Sequence, residues 1–281
     1  MKTLSQIKKD MEFNKDLTVL IEALKSIAIG EYYALEKKIK FYKKYLASVE
    51  SFFEYIDVET INHPFVKPRT HKQAVIAITS DAGFLGGVNM RVVHAALHEA
   101  ENMPTTLLVV GERGKMYVPS GLHSLVSFPG ISEESRFEQS IQMRNYLVKQ
   151  VLSGAYDTVK LVYPKPVSMM VQHVEVVQFL PFRPSNTKLA PPAVIANTIM
   201  ESRLEDTVEY LVTLWMGEML FEIFGLSRLA EFSARYFHLE ESNEKLNDEN
   251  KKIQLQYFRI RHELIDRSMR ELFAGRATRG R

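Results

Sequence analysis

The residues best placed to do chemistry lie in one short run, Thr79-Ser80-Asp81-Ala82-Gly83-Phe84-Leu85-Gly86-Gly87-Val88-Asn89. A glycine-bearing turn between a strand and a helix can cradle phosphate on free backbone N–H groups. The spacing G-x-x-G-G fits neither the dinucleotide fingerprint G-x-G-x-x-G nor the P-loop, and no Lys-Ser/Thr pair follows. The plainer reading is a tight turn that needs positive φ or close backbone approach. Ser80-Asp81 also lacks the G-x-S-x-G elbow of a serine nucleophile. His94 and His98 are the only pair at i, i+4 spacing among eight histidines. Glu99 is adjacent to them but does not stand between them, as the metalloprotease motif requires. That pair reads as a solvated helix face.

A second cluster is electrostatic. Arg259, Arg261, Arg267, Arg270, Arg276, Arg279 and Arg281 crowd the last part of the chain, with His262, Glu263, Asp266 and Glu271 between them. A solvated face, a nucleic-acid patch and a docking surface for partner carboxylates are the three readings. The interleaved acids, and a whole-chain balance of 36 basic to 34 acidic residues, argue against nucleic acid. Arginine forks suit bidentate contact with carboxylates. Arg259 and Arg261, two apart, cannot share a helix face. The acidic run Glu240, Glu241, Glu244, Asp248, Glu249 with Lys245, Lys251 and Lys252 reads as a charged helix face.

Composition narrows the classes further. With 281 residues the chain has room for one large domain or two modest ones, and 46% hydrophobic with 25% charged residues is ordinary for a globular protein. No cysteine is present, which removes disulfides, thiolate metal sites and a cysteine nucleophile, and is compatible with a reducing cytoplasm. The first ten residues are too charged for the apolar core of a signal peptide. The most apolar stretch, Val208 to Leu226, is interrupted by Glu209, Glu218 and Glu222, so it is expected to be a buried helix. Any work at a membrane is then expected to depend on partners that hold the protein there.

The elements that would position these groups follow two periods. From Thr3 to Asp57 a 3-4 alternation runs through Leu4, Ile7, Met11, Asn14, Thr18, Ile21, Lys25, Ala28, Tyr32, Leu35, Ile39, Tyr42, Leu46, Val49, Phe53 and Ile56. A seven-residue repeat sustained this long predicts a coiled-coil helix, roughly 80 Å long at 1.5 Å per residue. Leu17, Leu20, Leu24 and Ile27 add a second apolar row, which widens the face available to a partner or thickens the local core. Asn62-His63-Pro64 and Pro68 end the helix.

Between Thr70 and Pro184 the period changes. Ala74–Thr79, Thr106–Val110, Thr158–Tyr163 and Val171–Leu180 read as strands, with helices expected over Val88–Asn102 and Glu133–Leu152. This alternation predicts a small α/β domain on a largely parallel sheet. After Pro191-Pro192 no proline recurs, and the coiled-coil spacing returns through Leu229, Phe232, Tyr236, Leu239, Asn243, Leu246, Asn250, Ile253, Tyr257, Ile260 and Leu264. Gly217 and Gly225 are possible bends; an unbroken helix would approach ~120 Å. The expected organisation is thus a coiled-coil helix over 1–58, an α/β domain over 70–184 and a second coiled-coil helix over 192–281. The fold class is α/β, with a long antiparallel coiled coil of the N- and C-terminal helices around a central small Rossmann-like domain. A stiff rod made from the two ends of one chain is a mechanical object.

At this point the sequence resembles the gamma subunit family of F-type ATP synthases. Ala23-Leu24-Lys25-Ser26-Ile27-Ala28 is similar to the family's A-M-K-M-V-A, and Ile78 to Asn89 resembles I-T-S-D-R-G-L-C-G-G-F-N. Glu231-Phe232-Ser233-Ala234-Arg235-Tyr236 resembles E-H-A-A-R-M, Tyr257 to Asp266 resembles Y-N-R-A-R-Q-A-x-I-T, and Glu271 to Gly275 resembles E-I-V-x-G. The matches run in order along nearly the whole chain.

The resemblance implies a rotor that is not itself an enzyme and carries no catalytic, cofactor-binding or metal-binding residues. It implies three alpha and three beta ATPase subunits around the coiled coil, an epsilon-type subunit and a membrane c-ring at the foot, no nucleic acid, and a cytoplasmic place at the inner face of the membrane. Rotor–stator contacts are implied at Leu24, Lys25, Arg235, Arg259, Arg261, His262, Asp266 and Glu271. The family's Met is Leu24 here, its Arg is Ala82, and its Gln and Thr are His262 and Asp266. These departures imply a divergent branch, such as an alternate or sodium-type ATPase or a related motor put to another use. The competing readings, a coiled-coil scaffold and a nucleotide-binding α/β enzyme, predict self-association and a nucleotide-binding fragment respectively.

Overall fold

A computed structural model describes residues 3–101, 103–120, 124–184 and 202–278, the side chains of 40–47, 59 and 274–278 excepted. The elements are α1 (Leu4–Ser51), β1 (Gln73–Ile78), α2 (Val88–Ala100), β2 (Thr105–Val110), α3 (Glu112–Lys115), β3 (Leu125–Phe128), α4 (Arg136–Leu152), β4 (Thr158–Pro166), β5 (Gln172–Leu180) and α5 (Leu204–Thr278). The chain divides into two compact units, residues 1–28 with 236–281, and residues 29–235. The division cuts through both long helices and not between the segments 1–58, 70–184 and 192–281. Residues 192–201 and 279–281 of the last segment lie outside the described residues.

In the unit of residues 29–235, a five-stranded sheet has the order β3-β2-β1-β4-β5. β1 pairs in parallel with β2 and β4, β2 in parallel with β3, and β4 antiparallel with β5. Every residue of β1 is buried, because both faces of the sheet are covered. Ala74, Ile76 and Ile78 face Met143, Leu147 and Val151 of α4 and Val212, Met216 and Leu220 of α5. Val75 and Ala77 face Val88, Val92 and Ala96 of α2. Each such aliphatic side chain contributes about 1.5–3 kcal/mol by leaving water.

The strand β3 was not expected. It is only four residues long with alternate exposure, so it has neither a continuous apolar run nor a long alternation to give it away. The first helix also stops earlier than Asp57. After Ser51 the backbone tightens into two 3₁₀ turns, Phe52–Tyr55 and Val58–Thr60, which turn Phe53, Ile56 and Val58 into the core.

Within this unit, residues 29–51 of α1 lie beside residues 204–235 of α5. Tyr32, Leu35 and Ile39 pack on Leu229 and Phe232, and the Trp215 indole N–H donates to Glu50 Oε1 at 3.1 Å. Helix α5 does not break at Gly217 or Gly225. A Cβ at Gly225 would overlap the Arg136 guanidinium and come within 3.3 Å of Ile39 Cγ1, so this glycine serves close packing. One stretch among the described residues, Leu204–Phe273, is long and apolar enough by length and composition to cross a membrane, and half of its apolar window is buried in the protein. Val208, Val212, Met216, Leu220 and Ile223 account for that burial against the core.

In the other unit, residues 4–28 of α1 run antiparallel to α5 from Tyr236 onward. Glu22 accepts a hydrogen bond from Asn243 and Lys25 pairs with Glu240, and the numbers of each pair total 265. Ile21, Leu239 and Leu246 form the apolar centre, flanked by Leu17 and Leu24. The 3-4 row is the buried one: Ile7, Asn14, Ile21, Ala28, Leu239, Asn243 and Leu246 are all below a tenth exposed. Tyr42 and Leu46 of the same row fall among residues whose side chains are not described.

Candidate functional site

The glycine-bearing loop after β1 is closed by its own side chains. The Ser80 N–H donates to Asn89 Oδ1 at 3.2 Å, Asn89 Nδ2 donates to Ser80 Oγ at 2.9 Å, and Ser80 Oγ donates to the Ala82 carbonyl at 2.9 Å. Gly86 and Gly87 take positive φ of 54° and 83°, as the turn requires. Phe84 also sits at φ 62° with its ring exposed, an unusual place for a bulky residue.

Asp81 reaches across to two neighbouring loops. Its Oδ1 accepts the Glu112 N–H at 2.8 Å, at the start of α3, and its Oδ2 accepts the Gly130 N–H at 3.1 Å. A side chain at Gly130 would overlap that carboxylate. Asp81 therefore ties the loops at the carboxyl ends of β1, β2 and β3 together. Sequence reasoning singled out the loop but not this tie, because Glu112 and Gly130 are far from Asp81 in the chain. His94 and His98 are exposed on α2, while Glu99 pairs with Lys160 at 2.5 Å.

The expected contact residues separate into two kinds. Lys25 and Leu24 turn toward α5. The Lys25 side chain is 12% exposed, lies 3.2 Å from Glu22 and 5.9 Å from the Tyr236 ring centroid, and also pairs with Glu240. Burial pulls the Lys25 pKa down, but hydrogen bonds and attraction from Glu240 and Glu22 outweigh it and hold the ammonium above its ordinary value. Leu24 packs beside Ile21 and Leu239.

Arg235, in the unit of residues 29–235, is likewise held internally. Its Nη2 donates to Glu231 at 2.6 Å, while Arg228 Nη1 donates to the other carboxylate oxygen at 2.5 Å. Glu231 is only 4% exposed, and both guanidinium groups lie over the Phe232 ring. Two arginines thus neutralise one buried acid with an excess positive charge.

Arg259, Arg261, His262, Asp266 and Glu271 face solvent. Glu271 accepts from Arg267 Nε at 3.1 Å, and the Asp266 carbonyl accepts from Arg270 Nε at 3.2 Å. These are one-turn pairs along a single helix, worth a few tenths of a kcal/mol.

The pairing register explains why they are bare. With pair numbers totalling 265, Leu4 lies level with Arg261, so α1 ends where this segment begins. Every residue from Arg261 to Phe273 is exposed. Here the apolar stripe changes rows. The inner row ends at Leu264 and continues as Arg267 and Glu271, whereas Leu255, Phe258, His262, Ile265, Met269 and Leu272 form a new 3-4 row. The apolar members of that row are all large and exposed. Where α5 is paired, the same row carries Glu241, Glu244, Asp248 and Lys251. This second row is visible in the sequence by its spacing, yet the inner row and the arginines drew the reading away from it.

A family model described as ATP synthase matches residues 3–278. The ATP synthase gamma chain of Desulforudis audaxviator (strain MP104C) is 23% identical over 99% of both chains. The chain belongs to the ATP synthase gamma-chain family. The gamma chain of Alkaliphilus metalliredigens (strain QYMF) is 25% identical, covering 95% of this chain and 94% of that one. The same fold occurs in a cryo-EM structure of the Euglena gracilis mitochondrial ATP synthase rotor, with TM-score 0.69, 16% identity and coverage of 93% of this chain and 98% of that one. It also occurs in the central stalk and c-ring structure of the Tetrahymena thermophila enzyme, with TM-score 0.59, 20% identity and coverage of 79% and 99%. Among the gamma-family motifs, the loop after β1 is therefore a structural brace, the Glu231–Arg235 motif an internal ion cluster, and the C-terminal motif the exposed one.

Proposed function

We propose that this gamma-family chain is the rotating shaft of a rotary ATPase and carries no active site of its own. The observation that carries the reading is the stretch of α5 beyond Arg261, which leaves its partner helix behind and presents a row of large apolar side chains flanked by arginines and acids. A soluble surface seldom leaves such a row bare, and an exposed apolar patch marks a contact. In this reading three alpha and three beta subunits close around the segment, and the nucleotides sit in those subunits. An epsilon-type subunit and a membrane c-ring meet the α/β domain, on the cytoplasmic side of the membrane.

Coupling then follows from asymmetry. A shaft that differs on its three sides gives three identical catalytic subunits unlike contacts. Turning it redistributes contact energy among them, so each site's nucleotide affinity changes in sequence. In this reading the exposed Arg259, Arg261, His262, Asp266 and Glu271 make those contacts, while Leu24, Lys25 and Arg235 act from inside the shaft.

Native mass spectrometry of the chain co-expressed with its own organism's alpha and beta subunits tests this. One copy per three alpha and three beta subunits is expected, with ATP hydrolysis by the assembly and none by the isolated chain. Assembly of the alpha and beta subunits with no copy, or with several, would remove the shaft reading.

A further inference from the structure

We propose that Glu22, Lys25, Glu240 and Asn243 form a register lock, the device that stops α1 sliding along α5 when load enters the pair. The functional part rests on the shaft reading; the register part stands on geometry alone. The apolar row cannot set the register by itself. Ile7, Ile21 and Ala28 on α1, and Leu239, Leu246, Ile253 and Ile260 on α5, recur at multiples of seven. A slide of seven residues, about 10 Å, returns apolar residues to apolar residues.

The Lys25–Glu240 contact does not repeat in that way. A slide of seven in either direction leaves Lys25 level with Ser233 or Asn247, and Glu22 level with Tyr236 or Asn250. Lys25 then keeps Glu22, one turn away on its own helix, but is level with no acid on α5. The Lys25 side chain is 12% exposed and Asn243 is 7% exposed, so water cannot easily replace the lost partners. A polar group buried in a coiled-coil seam is best attested as a register device.

The load case gives the lock its purpose. Among the described residues of this unit only α5 continues beyond Arg261, so force applied to that segment enters one helix. It reaches α1 solely through lateral contacts, as shear along the pair. A regular apolar row yields to such shear in steps of one repeat, whereas the Lys25–Glu240 tie, backed by Glu22–Asn243, is made in one position only. Lys25 and Glu240 are thus positioning residues.

The chain has no cysteine, so two cysteines placed at the exposed positions Lys8 and Lys245, which are well offset along the pair so that a slide changes their separation, can be spin-labelled cleanly in the full chain. Pulsed electron resonance should give one distance for the parent. Lys25→Met should add a second population displaced by about 5–10 Å, corresponding to half or one repeat. The exchange Lys25→Glu with Glu240→Lys should restore the single distance. If Lys25→Met does not fold, Glu240→Gln makes the same test. An unchanged single distance in the variant overturns the lock, as does a displaced population that the exchange fails to remove. In the assembled complex, ions pumped per ATP should fall several-fold for Lys25→Met and recover with the exchange. A lower melting temperature with unaltered distance and pumping would reduce the cluster to ordinary stabilisation and also overturn the lock. Failure of the shaft reading would appear separately, as absence of assembly with an intact distance result.

Discussion

Replacing Gly225 by alanine should destabilise the protein, against the usual sign for this change. Inside a helix, alanine is favoured over glycine by about 1 kcal/mol, from backbone entropy. At Gly225 the added methyl would overlap the Arg136 guanidinium and press on Ile39 Cγ1 at 3.3 Å. Arg136 is long and could in principle swing aside, but it is only 3% exposed. Its guanidinium lies 4.2 Å from the Phe221 ring centroid and 3.6 Å from Glu133, so moving it breaks a buried ion pair and a cation–π contact. Overpacking costs about 1–3 kcal/mol and a desolvated cation–π contact about 1–2 kcal/mol. After the propensity gain is subtracted, a net loss of about 2 kcal/mol remains, or roughly 5 °C in melting temperature. Thermal and urea unfolding of the full chain would measure it. Gly30, with nothing within 4 Å of an added Cβ, is the control, and Gly30→Ala should stabilise by up to about 1 kcal/mol. A Gly225→Ala variant as stable as the parent, or more stable, would refute the close-packing argument.

Arg261→Ala should leave unfolding unchanged within about 0.5 kcal/mol, since the side chain is exposed, but should alter the ATPase rate of the assembled complex; unaltered turnover would remove Arg261 from the contact surface. Changing Ile265, Met269 and Leu272 together to serine should likewise spare stability while weakening retention in the alpha–beta assembly, as read by co-purification at rising salt and dilution. Burial raises the Tyr156 phenol, with help from Tyr146, and raises that of Tyr163, with help from Glu175 and Glu222; Lys25 is also raised. Groups raised in the folded state give their full stabilisation below the unfolded values, near pH 10, and lose it as pH climbs through the folded ones. Urea midpoints should therefore hold steady up to about pH 9.5 and drop above pH 10, with less of a drop in a Tyr156→Phe, Tyr163→Phe variant.

The long helices and the sheet were legible because each has a strong period. Sixteen successive positions at 3-4 spacing do not arise by accident, and the run Ala74 to Ile78 suits a strand covered on both faces. What stayed hidden depends on contacts distant in sequence. The spacing that put Lys25 in the seam could not say that Glu240 lies opposite, since register is set by the whole fold. The sequence also does not disclose the Arg144 and Arg136 side chains that lie across Gly217 and Gly225. Leu20 and Ile27, the outer members of the widened N-terminal stripe, remain exposed, while Leu17 and Leu24 thicken the core of the helix pair. The core-thickening reading therefore holds for Leu17 and Leu24.

The brace at Asp81 has a consequence for what the α/β unit can be asked to do. Sheets of this wiring commonly receive ligands at the carboxyl ends of their strands. Here an anion is already present, a carboxylate of the same chain held by the fold against the donors it occupies. Linkage of this kind acts like a local concentration in the millimolar range or above, which a passing phosphate compound has to outcompete before it can touch the Glu112 and Gly130 amides. What such a plugged mouth offers in return is rigidity: three loops that would otherwise move separately are stitched into one block, suitable as a handle by which other subunits can turn the chain.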